Sequence, residues 1–159
     1  MTVDPKTPPL ASAVAVVEAL QALGATAAVG GSGLLAALGL VERVRDWDVT
    51  TDVDRATVEA ALRSTRLPFA PAVVGDGVHA TRGRYLVSGD DVEVDVLVGF
   101  ALRDGREVVQ LPTRVTRIWR GLPMADPSVW LRAYRLLGRH DRADLLQEWL
   151  YRGGAARTS

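Results

Sequence analysis

A chain of 159 residues is the size of one domain, and 48% hydrophobic with 24% charged residues is the composition of a globular protein that buries a real core. Nineteen basic and nineteen acidic residues cancel to a formal net charge of zero, so the overall balance draws the chain neither to nucleic acid nor to an anionic membrane. Cysteine is absent, which excludes disulfides, thiol nucleophiles and cysteine-bound zinc and suits a reducing cytoplasm.

Residues 1–9, "MTVDPKTPP", are polar and proline-rich and are expected to fray, as is the small, polar end at 152–159. From Leu10 to Leu23 the apolar positions Val14, Val17 and Leu20 recur at helical spacing, and Gly24 is a stop. This stretch is interrupted by Glu18 and Gln21, has no basic segment before it and is too short to span a bilayer, so no export signal or membrane segment is expected. "TAAVG" predicts a short buried strand that runs into the turn "GGSG", and "LLAALGL" a helix beginning at that turn. "DWDVTT", residues 46–51, alternates as a strand does; "DVDRATVEAALRST" follows as a helix, with Asp52 or Asp54 as its cap and Val58, Ala61 and Leu62 on one side, and closes at Pro68.

The middle of the chain reads as β: "APAVVG", "RYLVSG", "VEVDVLVGF" and "REVVQLP" are separated by "GDG", "GDD" and "RDG", which is turn chemistry, and the last two pairs read as hairpins. After "GLPMADPS" comes a helical end in which Asp126 caps, Pro127 takes the first helical position and Gly138 divides two amphipathic pieces. The expected class is α+β, a mixed sheet flanked by helices. Its core spans 10–124, and C-terminal helices over 125–151 pack on that core.

Side chains two apart on a strand share a face, so Asp46 and Asp48 point one way while Trp47 and Val49 point to the core. Two such carboxylates repel each other unless a cation sits between them, and hard oxygen ligands select Mg2+ or Mn2+. "VEVDVLV" repeats the device with Glu93 and Asp95; if the two strands are neighbours, three or four carboxylates converge. Paired divalent ions held this way serve phosphoryl transfer. The glycine turn supplies a complementary part: Gly30, Gly31 and Gly33 let backbone approach a ligand closely, and Ser32 offers a hydroxyl donor to a triphosphate. Taken singly, the glycines can be only a turn and the aspartates only a solvated edge or a cap; their order along the chain is the stronger signal. A dinucleotide-binding fingerprint fits poorly, because the glycines read G-G-S-G and the acidic pair follows too soon.

"VGGS" at Val29 to Ser32, "DWD" at Asp46 to Asp48 and "VDV" around Asp95 resemble the motifs of the DNA polymerase beta-like nucleotidyltransferase superfamily, including its small bacterial antibiotic-modifying and toxin- or antitoxin-associated members. The resemblance covers about residues 10–110 and, more loosely, the helical end. It implies a nucleotidyltransferase-like fold, Asp46, Asp48 and Asp95 as catalytic metal ligands with Glu93 as alternate, and Gly30, Gly31 and Ser32 at the triphosphate. It further implies Mg2+- or Mn2+-dependent transfer of a nucleoside monophosphate from a nucleoside triphosphate such as ATP to an acceptor hydroxyl in the cytoplasm, with release of pyrophosphate. A catalytically weak binding or regulatory module, paired with a toxin or antitoxin protein partner, is the alternative. Two departures stand out: "VERVRD" replaces the Arg and Thr that many members carry before the first aspartate, leaving Arg43 and Arg45 unassigned, and Trp47 is bulkier than the usual aliphatic residue.

Four other sets of residues are read blandly. His79 is taken as a surface or packing residue rather than one that approaches the site, and Arg82 and Arg84 as solvated, with neutralisation of phosphate as the alternative. Arg114, Arg117 and Arg120 with Trp119 form a stripe of the kind that binds nucleic acid, which zero net charge disfavours. Arg139, Asp141 and Asp144 mark a helix junction that could lie over the cleft; the preferred reading makes Asp141 a cap of the last helix, with Arg139 and Asp144 exposed.

Overall fold

The computed structural model describes residues 4–90 and 92–157. Helix α1, Ala11–Ala22, buries Ser12, Ala13, Val16, Val17 and Leu20, one stripe at helical spacing. It ends as the glycine predicts: Gly24 takes φ +80°, its N–H donates to the Gln21 carbonyl, and the Ala25 N–H donates to that of Leu20, closing a left-handed cap. The fully buried strand β1, Ala27–Gly30, leads directly into the short helix α2, Gly31–Ala37. Strand β2, Trp47–Thr51, precedes helix α3, Arg55–Thr65. Asp54 holds the cap position of α3 and accepts from the Thr57 hydroxyl, while Asp52 accepts from the backbone N–H of Thr113 at 2.8 Å.

The β-rich middle supplies β3, Phe69–Pro71; β4, Gly83–Ser88; β5, Glu93–Val98; β6, Ala101–Asp104; and β7, Glu107–Gln110. Two expectations are corrected here. The strand expected over residues 70–75 is confined to Phe69–Pro71; the Ala72 N–H still donates to the Arg84 carbonyl at 2.8 Å, and beyond it Gly75 and Gly77 turn the chain at positive φ. The run "VEVDVLVGF" meets "REVVQLP" through the Leu111 N–H, which donates to the Phe100 carbonyl at 2.9 Å; Gly99, at φ +62°, ends β5 before that point, so β4 pairs with β5 and the second hairpin is β6 with β7.

A further hairpin, β8 at Val115–Trp119 and β9 at Leu122–Ala125, occupies the stretch read as a basic stripe and a lead-in loop. Its two-residue turn puts Arg120 at φ +52° and Gly121 at φ +78°, a backbone in which arginine is unusual. Helix α4, Pro127–Leu136, has the expected cap, with the Asp126 carboxylate accepting from the Ser128 N–H at 2.9 Å. Helix α5, His140–Arg157, begins one residue before Asp141, which therefore sits inside the first turn and not at the cap, and it continues through much of the 152–159 stretch.

Seven strands form one mixed sheet in the order β3-β4-β5-β2-β1-β9-β8, and β6 and β7 form a separate ribbon. Adjacent β2 and β5 are parallel, joined through α3 and the β3-β4 hairpin. On one sheet face Trp47, Val49, Tyr85, Val87, Val94 and Val96 are fully buried. Helix α3 covers part of this face: Tyr85 donates its hydroxyl to Glu59 at 2.9 Å and accepts from Arg55 at 3.3 Å. The opposite face carries Asp48, Arg84, Leu86, Asp95 and Leu97, all half-buried.

Residues 4–9, expected to fray, are bonded to the body. Lys6 exchanges two backbone hydrogen bonds of 2.8 Å with Glu42 and Val44, the Trp47 indole N–H donates to the Pro9 carbonyl at 3.1 Å, and Arg120 grips Asp4, the Pro5 carbonyl and Thr7. This grip also orders the left-handed Arg120.

Candidate active site

Parallel pairing of β2 with β5 sets Asp48 directly opposite Asp95 and Trp47 opposite Val94, so the two strands bring carboxylates to one face and apolar groups to the other. On the antiparallel side of β2, Asp48 faces Gly30 of β1. Chain reversal after Gly30 then drives the backbone beneath the Asp48 carboxylate. A Cβ at Gly31 would lie 2.1 Å from Asp48 Oδ2, and Gly31 has φ +58°, so only glycine fits there on both steric and conformational grounds. Gly30 is equally constrained, since its Cβ would lie 2.1 Å from the Trp130 indole, and Gly33 packs against Val29 and Trp47.

Asp48 is deeply set among these groups. Burial, then the charges of Asp95 and Asp46, push its carboxyl from 3.8 up to about 7, against a weaker opposing pull from Arg84 and Arg142. Asp95 is held differently: Arg84 of β4 grips it with a two-pronged guanidinium, Nε lying 2.9 and 3.1 Å from its two oxygens and Nη2 2.7 Å from Oδ2. Its bonds to Asp95 raise the Arg84 pKa above the usual guanidinium value.

A cleft of about 1170 Å³ opens over this face. Gly31, Ser32, Asp46, Asp48, Glu93 and Asp95 all border it, while Gly30 lies below, covered by Trp130. Asp46, at the bend preceding β2, is exposed, as is Glu93 at the start of β5. Among the described residues no three acidic or histidine side chains close into a ready-made metal cage.

Several further residues border the cleft, among them His79, Arg84 and Arg139, for which a place at the site is the less favoured reading of the sequence. Arg84 was read as solvated, and the structure corrects this: its place on alternating β4 puts it on the face of Asp95, which only the cross-strand register reveals. Phe100, Trp130 and Tyr134 form an aromatic row, with ring centroids 5.1 Å apart for the first pair and 5.7 Å for the second. Arg142 lies beside the Tyr134 hydroxyl, 3.5 Å away, and Arg139 also borders the cleft, so the junction between α4 and α5 overhangs the carboxylates. The helical spacing of Tyr134 and Trp130 in "WLRAYRLLGRHDR" was visible, but not what it would face. Arg43, Arg45 and His79 line the same cleft. Of the suspected basic stripe, Arg117 stacks over Trp149, 5.0 Å from its ring centroid, and Arg120 over Trp119, 4.4 Å from its own. No helix among the described residues is long and apolar enough to cross a membrane.

The chain matches no protein-family model and no curated protein sequence. Solved structures do match. TM1012 of Thermotoga maritima, provisionally assigned as a nucleotidyltransferase, is similar over 90% of this chain and 92% of its own, with a TM-score of 0.62 and 20% identity. ANT(2")-Ia, solved in complex with adenylyl-2"-tobramycin, is similar over 94% of this chain and 97% of its own, with a TM-score of 0.54 and 12% identity. The mixed sheet, its flanking helices and its helical end thus make up the nucleotidyltransferase fold, along nearly the whole length of both neighbours.

Proposed function

We propose that this protein is a nucleotidyltransferase that moves a nucleoside monophosphate from a nucleoside triphosphate to an acceptor hydroxyl and releases pyrophosphate. The observation that carries the reading is the register of β2 on β5, which pairs Asp48 with Asp95 beside Gly31 and Ser32 in one cleft. The fold neighbours support the same class of reaction.

The donor set fits Mg2+ or Mn2+. Asp48 is a half-buried carboxyl crowded by two others and short of compensating charge, and every candidate ligand is a hard oxygen. Asp46, Asp48 and Asp95 would hold the ion, with Glu93 in reach of the same face as the alternate. Once bound, such an ion neutralises triphosphate charge and polarises the reacting phosphorus. The chain's own residues do the rest. Side-chain-free backbone at Gly31 lets phosphate oxygens approach, and the Ser32 hydroxyl donates to them. Arg139 and Arg142, which line the same cleft, would offer positive charge to the phosphates, and Asp95 would orient the acceptor hydroxyl and take its proton. The catalytic contribution is positioning and charge stabilisation.

One observation favours a catalytically weak binding module, serving a protein partner, as the second reading: the Arg84 fork occupies Asp95. The two separate in one assay. Purified protein incubated with labelled triphosphates, magnesium and a cell extract is expected to label an acceptor, and Asp48→Asn to abolish the labelling. Transfer that continues in the variant at the wild-type rate defeats the enzymatic reading.

A further inference from the structure

The guanidinium of Arg84 stands where positive charge is needed most. In the pairing of β4 with β5, Arg84 faces Leu97 and Leu86 faces Asp95, so Arg84 reaches diagonally along the sheet to Asp95. Both carboxylate oxygens accept from it, at 2.7 to 3.1 Å. Its charge acts on Asp48 and Glu93 as well. A planar fork of this kind fills the open edge of a carboxylate. With both oxygens engaged and a fixed positive charge beside them, Asp95 is poorly disposed to accept a second cation. The arginine is nevertheless not locked in: its side chain is 39% exposed, against 19% for Asp95, and it borders the cleft.

We propose that Arg84 is a built-in counter-cation that occupies Asp95 in the nucleotide-free protein, competes with a divalent ion for it, and swings to the triphosphate when the ion takes its place. Arg84 on this account acts on Asp95 in the nucleotide-free state and on the triphosphate itself once the ion is bound. It makes entry of ion and nucleotide mutually dependent, because the released guanidinium gains a phosphate partner only when both are present. The inference rests on the nucleotidyltransferase reading and on Asp95 being an ion ligand.

The test is Mn2+ binding to the full nucleotide-free chain, followed by calorimetry or by the paramagnetic signal of free Mn2+, in the wild type, Arg84→Gln and Arg84→Lys. Removing the competitor is expected to tighten Mn2+ binding on the order of tenfold in Arg84→Gln. Arg84→Lys, which keeps the charge but loses the fork, falls between. At saturating Mn2+ the Gln variant should also show a raised KM for the triphosphate with a smaller change in kcat, since the swung-out guanidinium is missing. Should Arg84→Gln fail to fold, the Lys variant carries the same comparison by its intermediate affinity. Wild-type binding with equal or weaker affinity in both variants overturns the competition and leaves the transferase reading standing. No Mn2+ binding by wild type or variants at millimolar concentration overturns the ion site itself, and the inference with it.

Discussion

The two faces of the β2-β5 pair are built from the same backbone and the same period of two, yet they solve opposite problems. On one, Trp47, Val49, Val94 and Val96 are removed from water altogether and are satisfied by close packing. On the other, Asp48 and Asp95 are brought together against their mutual repulsion, one packed against the glycine backbone at Gly31 and the other gripped by an arginine. The packed face holds the acidic face rigid, and the stability gained on the first allows the second to remain electrostatically unsettled.

That contrast can be broken from either side. The largest expected effect is on the acidic face: Asp48→Asn should lower nucleotidyl transfer on the order of 10³-fold or more while the unfolding transition is retained, checked by steady-state rates beside a thermal melt. On the packed face, Trp47→Ala removes a fully buried indole and its bond to the Pro9 carbonyl, and should cost about 3–5 kcal/mol in denaturant unfolding. Gly31→Ala joins the two faces. Its left-handed backbone alone should cost roughly 1–2 kcal/mol, and its methyl group collides with the Asp48 carboxylate, so transfer should fall together with stability.

A smaller effect lies in the pH dependence of stability without divalent ions. The unfolded chain releases the Asp48 proton near 3.8 and the folded chain near 7, so between those values the folded state binds more protons. This carboxyl's contribution therefore declines as pH rises from about 4 to 7, and a series of melts across that range should show a downward slope that Asp48→Asn flattens.

Much of this was legible before any coordinates. Strand alternation alone separates Asp46 and Asp48 from Trp47, and Glu93 and Asp95 from the valines, and the glycine turn announced a close backbone approach. What could not be read is whatever depends on register between distant segments. The pairing of Asp48 with Asp95, and the diagonal reach of Arg84, follow from which strands become neighbours, and nothing local to "RYLVSG" encodes it. Trp130, Tyr134 and Arg142 come to the site from the far end of the chain. The β8-β9 hairpin escaped notice for a different reason. Its turn uses Arg120 where glycine, asparagine or aspartate is the usual signal, and the left-handed arginine is held by bonds to residues 4–7 that no window around it contains.

Other bonds from the same segment tie the start of the described chain to one border of the cleft. Lys6 anchors the 42–44 strip, which leads through Arg45 to Asp46, and Pro9 anchors the ring of Trp47, Asp48's immediate neighbour. A protease cut just after Pro9 would therefore sever a brace and not shave off a tail, loosening two successive supports of the acidic edge though it lies nowhere near the carboxylates in sequence.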